Sequence, residues 1–394
     1  MEPRSPARAD AVGADKTRFR GDRYASSRLH VSGFAVAHLC YCTQGSCTEA
    51  ANYDMMQTTM RATLFLLACL AASLSAQPKK KIVYLGEQAV ADELKTASDK
   101  ANLVVATNDT IMTEIADADA FIGSIKPEWV RAGKKLQWTQ IMSAGVETIL
   151  HKSGSDALKN SNIIVTNNQI VQGPEIADHA MAMLLTLTRG LHTFIDHRQK
   201  EIWQPRPYPG IELSGRNGVI IGCGGIGSQI ALRAWAFGMN ITCIDPEDIP
   251  FSPFIKRTVK PDQIDEVIPT ADVVFISAPH TEKSHKMMGP KQFDLMKKDS
   301  FFIAVSRGGI YDLPALIKAL DSKKLSGAGV DVTDPEPLPP GNPLWKFNNA
   351  IVTPHIAGRS DKDRARMVGT IKENIRRFVD GKPLINVVDK QKGY

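Results

Sequence analysis

The chain is poor in cysteine, in long apolar runs and in blocks of like charge, and each shortage closes off a class of protein. Six cysteines are spread over 394 residues. Cys40, Cys42, Cys47 and Cys69 lie near the start, and only Cys223 and Cys243 lie in the body, too few for a fold stapled by disulfides. Both sit in or beside apolar strand-like runs and read as buried free thiols. No second ligand pair follows Cys40, Cys42 and Cys47 at zinc-like spacing, and no His-x-x-x-His or carboxylate cluster occurs, so no metal is expected. The apolar run from about Thr63 to Ala72 is far short of the roughly 20 residues a membrane-spanning helix needs, so no integral span is expected. The formal charge of +6 is scattered. Without a basic stripe interleaved with aromatics, nucleic acid is not an expected partner.

The short apolar run has another reading. Arg61 precedes it, small residues (Ser73, Ser75, Ala76) follow it, and its length suits the core of a signal peptide. Residues 60–76 then form an export signal with Met60 as the start, and 1–59 are upstream sequence, disordered or untranslated. Export would place the protein outside the cytoplasm or in the periplasm; the alternative is an uncleaved leader on a cytoplasmic protein.

From Lys81 onward the chain alternates. "KIVYLG", "NLVVAT", "DAFIG", "LQWTQIM" and "NIIVTN" are short apolar runs separated by helix-like stretches, the pattern of βαβ units and a parallel sheet. A long helical stripe covers 173–195, with Pro174 in its first turn. A second series follows: "NGVIIG", "NITCID", "DVVFIS", "SFFIAVS", "SGAGVDV" and "NAIVTPH". Helices are expected at about 225–238, 290–297 and 313–322, and a last amphipathic one at 360–379. The fold class is therefore α/β, with two doubly wound parallel-sheet units.

One passage, "VIIGCGGIGSQIALRAWAFGMNITCID", carries a cofactor signal. A strand runs into Gly222, Cys223, Gly224, Gly225, Ile226 and Gly227, and a helix follows at once. Gly222 permits the tight turn, Gly224 a close approach to a pyrophosphate, and Gly227 close packing of helix on strand; the helix N-terminus offers free N–H groups. Asp245 stands 18 residues past Gly227 at the end of the next strand. A carboxylate there binds ribose hydroxyls and repels a 2′-phosphate, which favours NAD over NADP. Lys256, Arg257 and Lys260 downstream keep NADP open.

Three later strand ends hold candidate catalytic groups: Arg307 in "AVSRGG", Asp331 and Glu336 in "GVDVTDPEPLP", and His355 in "TPHIAG". A nicotinamide dehydrogenase needs an acid/base, which histidine supplies near neutral pH. It needs a cation shaped to hold a carboxylate, as arginine is, and a carboxylate to tune the base. Ligands bind outside the carboxyl ends of strands in such sheets. His179, His192 and His197 along the long helix read as packing residues, and His151, His280 and His285 as loop or helix-edge residues.

With these motifs in order, the chain from about residue 80 to 390 resembles the D-isomer-specific 2-hydroxyacid dehydrogenases. The resemblance implies two Rossmann-like units, a flavodoxin-like substrate unit (79–180 plus 360–394) and an NAD-binding unit (181–359), with the site between them. It places the family's arginine, glutamate and histidine on Arg307, Glu336 and His355, and its cofactor-side aspartate on Asp331. "SAGVE" matches the loop whose amides hold the substrate carboxylate, which points to Ser143, Ala144 and Gly145. Ala304 stands where the family often has asparagine, and Ala177-Asp178 where it usually has Ala-Glu. Glu336 argues against the related formate dehydrogenases, which carry an amide there. The implied activity interconverts a D-2-hydroxyacid and a 2-oxo acid, in the manner of glyoxylate/hydroxypyruvate reductases or phosphoglycerate dehydrogenases, by a homodimer. An NAD-sensing corepressor of the same fold is the alternative. Specificity is expected around Tyr84 to Glu87, Trp138 and the 203–210 loop.

Overall fold

The alternation of β-branched runs with helix-forming stretches builds two sheets in succession. The computed structural model describes residues 78–205 and 210–394, together with Met60. The readings of 1–59, of the rest of 60–76 and of residues 206–209 lie outside these described residues. The first unit comprises β1 (Lys80–Tyr84), α1 (Gln88–Lys95), β2 (Ala101–Val105), α2 (Ile111–Ile115), β3 (Ala120–Ile122), α3 (Pro127–Ala132), β4 (Trp138–Gln140), α4 (Glu147–Leu150) and β5 (Ile164–Thr166). Its strands are parallel, in the order β2-β1-β3-β4-β5. That is the flavodoxin-like order.

The chain then runs through α5 (Gly173–Thr188) and α6 (Leu191–Gln199). The single stripe expected at 173–195 is two helices, because Gly190 takes a left-handed conformation (φ 62°) between them. The second unit comprises β6 (Asn217–Ile221), α7 (Gly225–Ala236), β7 (Asn240–Ile244), β8 (Arg257–Val259), α8 (Ile264–Val267), β9 (Val273–Ile276), α9 (Pro290–Leu295), β10 (Ser300–Ala304), α10 (Leu313–Asp321), β11 (Leu325–Val330) and β12 (Ala350–Val352), and α11 (Asp363–Val379) closes the series. The seven parallel strands lie in the order β12-β11-β10-β9-β6-β7-β8. The order reverses at β6/β9, the switch point beside which dinucleotides bind in such sheets.

Strand alternation assigns each face. In β6, Val219 and Ile221 join one core layer while Ile220 joins the other; in β10, Phe302 and Ala304 oppose Phe301 and Ile303. Such two-sided burial is what near-continuous apolar strands require. α5 packs in the second sheet's core through Ile176, Ala180, Met183, Leu184 and Leu187. α11 returns to the first sheet, where Val368, Ile371 and Ile375 meet Ile82, Tyr84 and Trp138. A buried polar chain fixes α11 there: Trp138 Nε1 donates to Thr166 Oγ1, Thr166 Oγ1 to Gln140 Oε1, and Asn374 Nδ2 to the same Gln140 oxygen. Tyr84 and Trp138 are thus core residues, 2% and 0% exposed, and not the specificity determinants expected of them. Truncating Trp138 would cost about 3–5 kcal/mol.

Candidate active site

The glycine turn leaves β6 where its C-terminal edge meets the crevice. Gly222 has φ 89°, and a Cβ there would lie 2.4 Å from the Ala278 backbone, so no other residue fits. Gly224 faces open space. Gly225, Ile226 and Gly227 form the first turn of α7. Asp245 closes the turn from the neighbouring strand: its Oδ2 accepts from the Cys223 N–H at 2.7 Å and its Oδ1 from the Glu247 N–H at 2.9 Å.

Cys223 and Cys243 are not free thiols. They form a disulfide with Sγ–Sγ 2.05 Å, within the glycine turn and the adjacent β7. The pairing follows from strand neighbourhood. β6 and β7 run parallel in register, which brings the two Cα atoms to 6.0 Å, inside the span a disulfide bridges.

The basic residues after β7 are turned to other partners. Lys256 Nζ donates to Asn240 Oδ1 at 3.4 Å, Arg257 pairs with Glu266 at 3.9 Å, and Lys260 pairs with Asp248 at 2.8 Å. A different cation reaches this end of the crevice from the last residues of the chain. Val388 N–H donates to the Val165 carbonyl, and the half-buried Lys390 ammonium donates to the carbonyls of Leu158, Ser161 and Ile163. Beyond them, Lys392 Nζ (2.6 Å) and the Tyr394 hydroxyl (2.8 Å) both bond Glu247 Oε1, two residues from Asp245. Sequence reading missed this contact, which joins positions 145 or more residues apart.

The acid/base candidate stands after β12. His355, at φ 55°, presents Nδ1 to Glu336 Oε2 at 2.8 Å, and Glu336 Oε1 accepts from the Thr333 N–H at 2.9 Å. Both side chains keep an open flank, at 46% and 38% exposure. Asp331 is 2% exposed and turned inward. Its oxygens accept from Thr353 Oγ1 (2.6 Å) and from the Ile356 and Ala357 N–H groups (both 2.9 Å), so it holds the turn that carries His355. Among the other histidines, His179 bonds Thr353 at 2.9 Å, and His280 and His285 bond each other at 3.0 Å.

Arg307 follows β10 and crosses to the first unit. Its Nε donates to Glu147 Oε1 at 2.5 Å and its Nη1 to the Ser306 carbonyl at 2.7 Å. A Cβ on Gly145 would fall 1.9 Å from Nη2, so the loop passes directly under the guanidinium. The carbonyls of that loop are all engaged: Met142 accepts from Asn168 Nδ2, Ser143 from the Asn168 N–H, Ala144 from Asn167 Nδ2, and Gly145 from Ser143 Oγ. Among the described residues nothing accepts from the amides of Ser143, Ala144 or Gly145. A run of unpaired N–H groups beside a guanidinium is an anion-binding concavity. Glu147, Asn167 and Asn168 were not singled out from the sequence; the "TNN" that ends the β5 run was the available signal for the asparagines.

Burial works against a charge on Glu147, but the Arg307 guanidinium outweighs it and holds the carboxyl below its ordinary value. Burial, and then the positive charge of His285, lowers His280. Burial drives the Tyr311 phenol far up; its hydroxyl donates to the Val332 carbonyl and takes no part in proton transfer. No group of three or more potential metal ligands occurs among the described residues, and no helix among them is long and apolar enough to cross a membrane.

Comparison with known proteins shows the family. A family model described as "D-isomer specific 2-hydroxyacid dehydrogenase, NAD binding domain" matches residues 181–357. The chain is 31% identical over 290 residues to the glyoxylate reductase of Korarchaeum cryptofilum, across 71% of this chain and 86% of that protein. It is 31% identical over 316 residues to the D-3-phosphoglycerate dehydrogenase of Methanocaldococcus jannaschii, across 76% and 57%. A crystal structure of a D-isomer specific 2-hydroxyacid dehydrogenase family protein from Aeromonas salmonicida superposes with TM-score 0.68 at 25% identity, covering 80% of this chain and all of that one.

Proposed function

The chain belongs to the D-isomer specific 2-hydroxyacid dehydrogenases, and from that premise we propose that Arg307, Glu336 and His355 carry the reduction of a small 2-oxo acid to the D-2-hydroxyacid and its reverse. The enzyme is an oxidoreductase of 2-hydroxy and 2-oxo acids with an NAD-binding domain. The observation that carries the residue assignment is the concavity at 143–145. It has free amides on one side and the Arg307 guanidinium on the other, as a carboxylate next to a carbonyl requires.

The turn at 222–227 suits a dinucleotide: Gly224 faces open space and α7 begins at Gly225, so a pyrophosphate finds room and free N–H groups. A dinucleotide held at this turn by its pyrophosphate would supply, from its reduced nicotinamide, the hydride for the substrate's carbonyl carbon. The amides of Ser143, Ala144 and Gly145 hold the substrate carboxylate, and Arg307 polarises the carbonyl. Glu336 accepts from Nδ1 of His355, which leaves Nε2 to give its proton to the oxygen as the carbonyl electron pair moves there. In the oxidative direction neutral His355 takes that proton back, and Glu336 steadies the imidazolium.

NAD is the proposed coenzyme. The reading is supported by a carboxylate, Asp245, that follows β7 beside the glycine turn, and by the pairing of Lys256, Arg257 and Lys260 with other partners. The homodimer is supported by an apolar face on and beyond α6, where Leu191, Ile195, Ile202 and Trp203 are all more than 40% exposed. Reduction of glyoxylate, hydroxypyruvate and 3-phosphohydroxypyruvate, each with NADH and with NADPH, tests the assignment. Turnover with NADH on at least one is expected. A chain silent on all three, or one that strongly prefers NADPH, would sink the corresponding part.

Export through residues 60–76 is the proposed route to the site of action. The Cys223–Cys243 disulfide favours it, since reducing compartments keep such pairs as thiols. Mass spectrometry of the protein from its native source, alkylated before lysis, is expected to find both cysteines unmodified; two alkylated thiols would count against it.

A further inference from the structure

A short ion pair across the cleft, Glu147 with Arg307, takes no part in the proposed hydride and proton transfers. Glu147 begins α4 in the first unit, and Arg307 follows β10 in the second. Their 2.5 Å contact joins residues 160 positions apart. Both side chains are mostly buried, at 17% exposure for Glu147 and 28% for Arg307, so water screens the pair little. The contact occupies a particular nitrogen. Glu147 Oε1 takes Nε, the Ser306 carbonyl takes Nη1, and Nη2 is left over Gly145. Two acceptors fix a planar guanidinium in rotation and tilt, so the direction in which Nη2 projects is set before any ligand arrives.

We infer that Glu147 is a positioning residue for the reduction: it holds Arg307 by Nε so that Nη2 faces the 143–145 loop and the carboxylate bound there. The inference rests on the 2-oxo acid reading above. A carboxylate is needed because the residue must hold a cation in a partly dry site. An amide keeps an acceptor oxygen but has no charge, and it brings two N–H donors toward a group that is itself all donors. Gly145 belongs to the same device, since any side chain there would displace the guanidinium. The pair also crosses the cleft, so it sets the spacing of the two units at the point where substrate binds. A misplacement of about 1 Å at such a point costs roughly 10²-fold in rate.

The opposite role makes the opposite forecast. If Glu147 competed with the substrate carboxylate for Arg307, removing its charge would tighten binding of anions. The test compares wild type, Glu147→Gln and Glu147→Asp with glyoxylate and NADH, oxalate as a dead-end carboxylate, and thermal unfolding of each. Positioning predicts that Glu147→Gln loses roughly 10- to 10²-fold in kcat/KM for glyoxylate and a similar factor in oxalate affinity, with KM for NADH within about twofold of wild type. Glu147→Asp, which keeps the charge, recovers part of both. Tighter oxalate binding in Glu147→Gln would overturn the inference in favour of competition. A lowered Tm with unchanged glyoxylate and oxalate constants would overturn it in favour of a structural role alone. A wild type that reduces no 2-oxo acid would remove the function itself and this inference with it, and is told apart by the wild-type arm.

Discussion

Glu336 and Glu147 each hold one nitrogen-bearing partner in the same crevice, and they do it in different surroundings. Glu336 meets His355 from 19 residues away, within one stretch of the second unit, and the pair stands 38% and 46% exposed. Glu147 meets Arg307 from 160 residues away, across the cleft, at 17% and 28% exposure. The exposed pair has a ring free to take and give a proton, which is what an acid/base requires. The sheltered pair has a cation whose charge never changes and whose direction is all that can be adjusted. On the proposed mechanism one carboxylate would tune a proton and the other would aim a charge. In the proposed mechanism the group that exchanges a proton is the exposed one, and the group that holds and polarises the substrate is the sheltered one.

Removing the reacting group should have the largest effect. His355→Gln keeps much of the shape and loses the proton, and kcat for 2-oxo acid reduction should fall roughly 10³-fold. NADH and oxalate affinities, read by fluorescence titration, should hold. A comparable loss of oxalate binding would mean that the two pairs are not separate devices. Arg307→Lys comes next: it keeps the charge and loses the planar fork, so kcat/KM should drop roughly 10²-fold, mostly through KM for the 2-oxo acid. Retention of wild-type KM would show that Nη2 does not meet the substrate. Glu336→Gln should cost kcat roughly tenfold with oxalate affinity intact, the reverse of the pattern expected for Glu147→Gln. Identical signatures from the two glutamine variants would mean that the two carboxylates act alike.

The same contrast explains what could be read from the chain alone. Signals confined to one stretch were legible: the turn 222–227 lies between adjacent strands, and His355 and Glu336 stand on the ends of neighbouring ones. The two parallel sheets followed from the alternation of apolar runs. What failed depended on partners the sequence does not order. The Cys223–Cys243 bond requires knowing that β7 lies beside β6. Tyr84 stands at the carboxyl end of β1, as cleft residues do, and Trp138 opens β4, but α11 returns from the end of the chain and covers the face of both. Glu147 lay in a motif that was noticed, and its role was invisible because Arg307 arrives from the other unit. For Asp331, expected on the coenzyme side, the sequence does not show that its carboxylate also holds the turn that carries His355.

Acid supplies the smallest and finest test. Burial raises the cost of charging Glu147, yet Arg307 more than offsets it and the folded carboxyl titrates below its ordinary value. A carboxyl depressed on folding stabilises the folded protein fully above its unfolded value, about 4.3 for glutamate, and that contribution fades as pH falls through the lower, folded value. The Glu147–Arg307 pair should therefore be intact from neutral pH down through about pH 5. Oxalate affinity of the wild type should exceed that of Glu147→Gln by a constant factor across this range. Below it the wild type should lose its advantage and the two curves should converge, because protonated glutamate and glutamine are both uncharged. Binding measured within seconds of a pH jump, before acid unfolding intervenes, reads this directly. Convergence already at pH 6 would mean that Arg307 does not hold the carboxylate ionised.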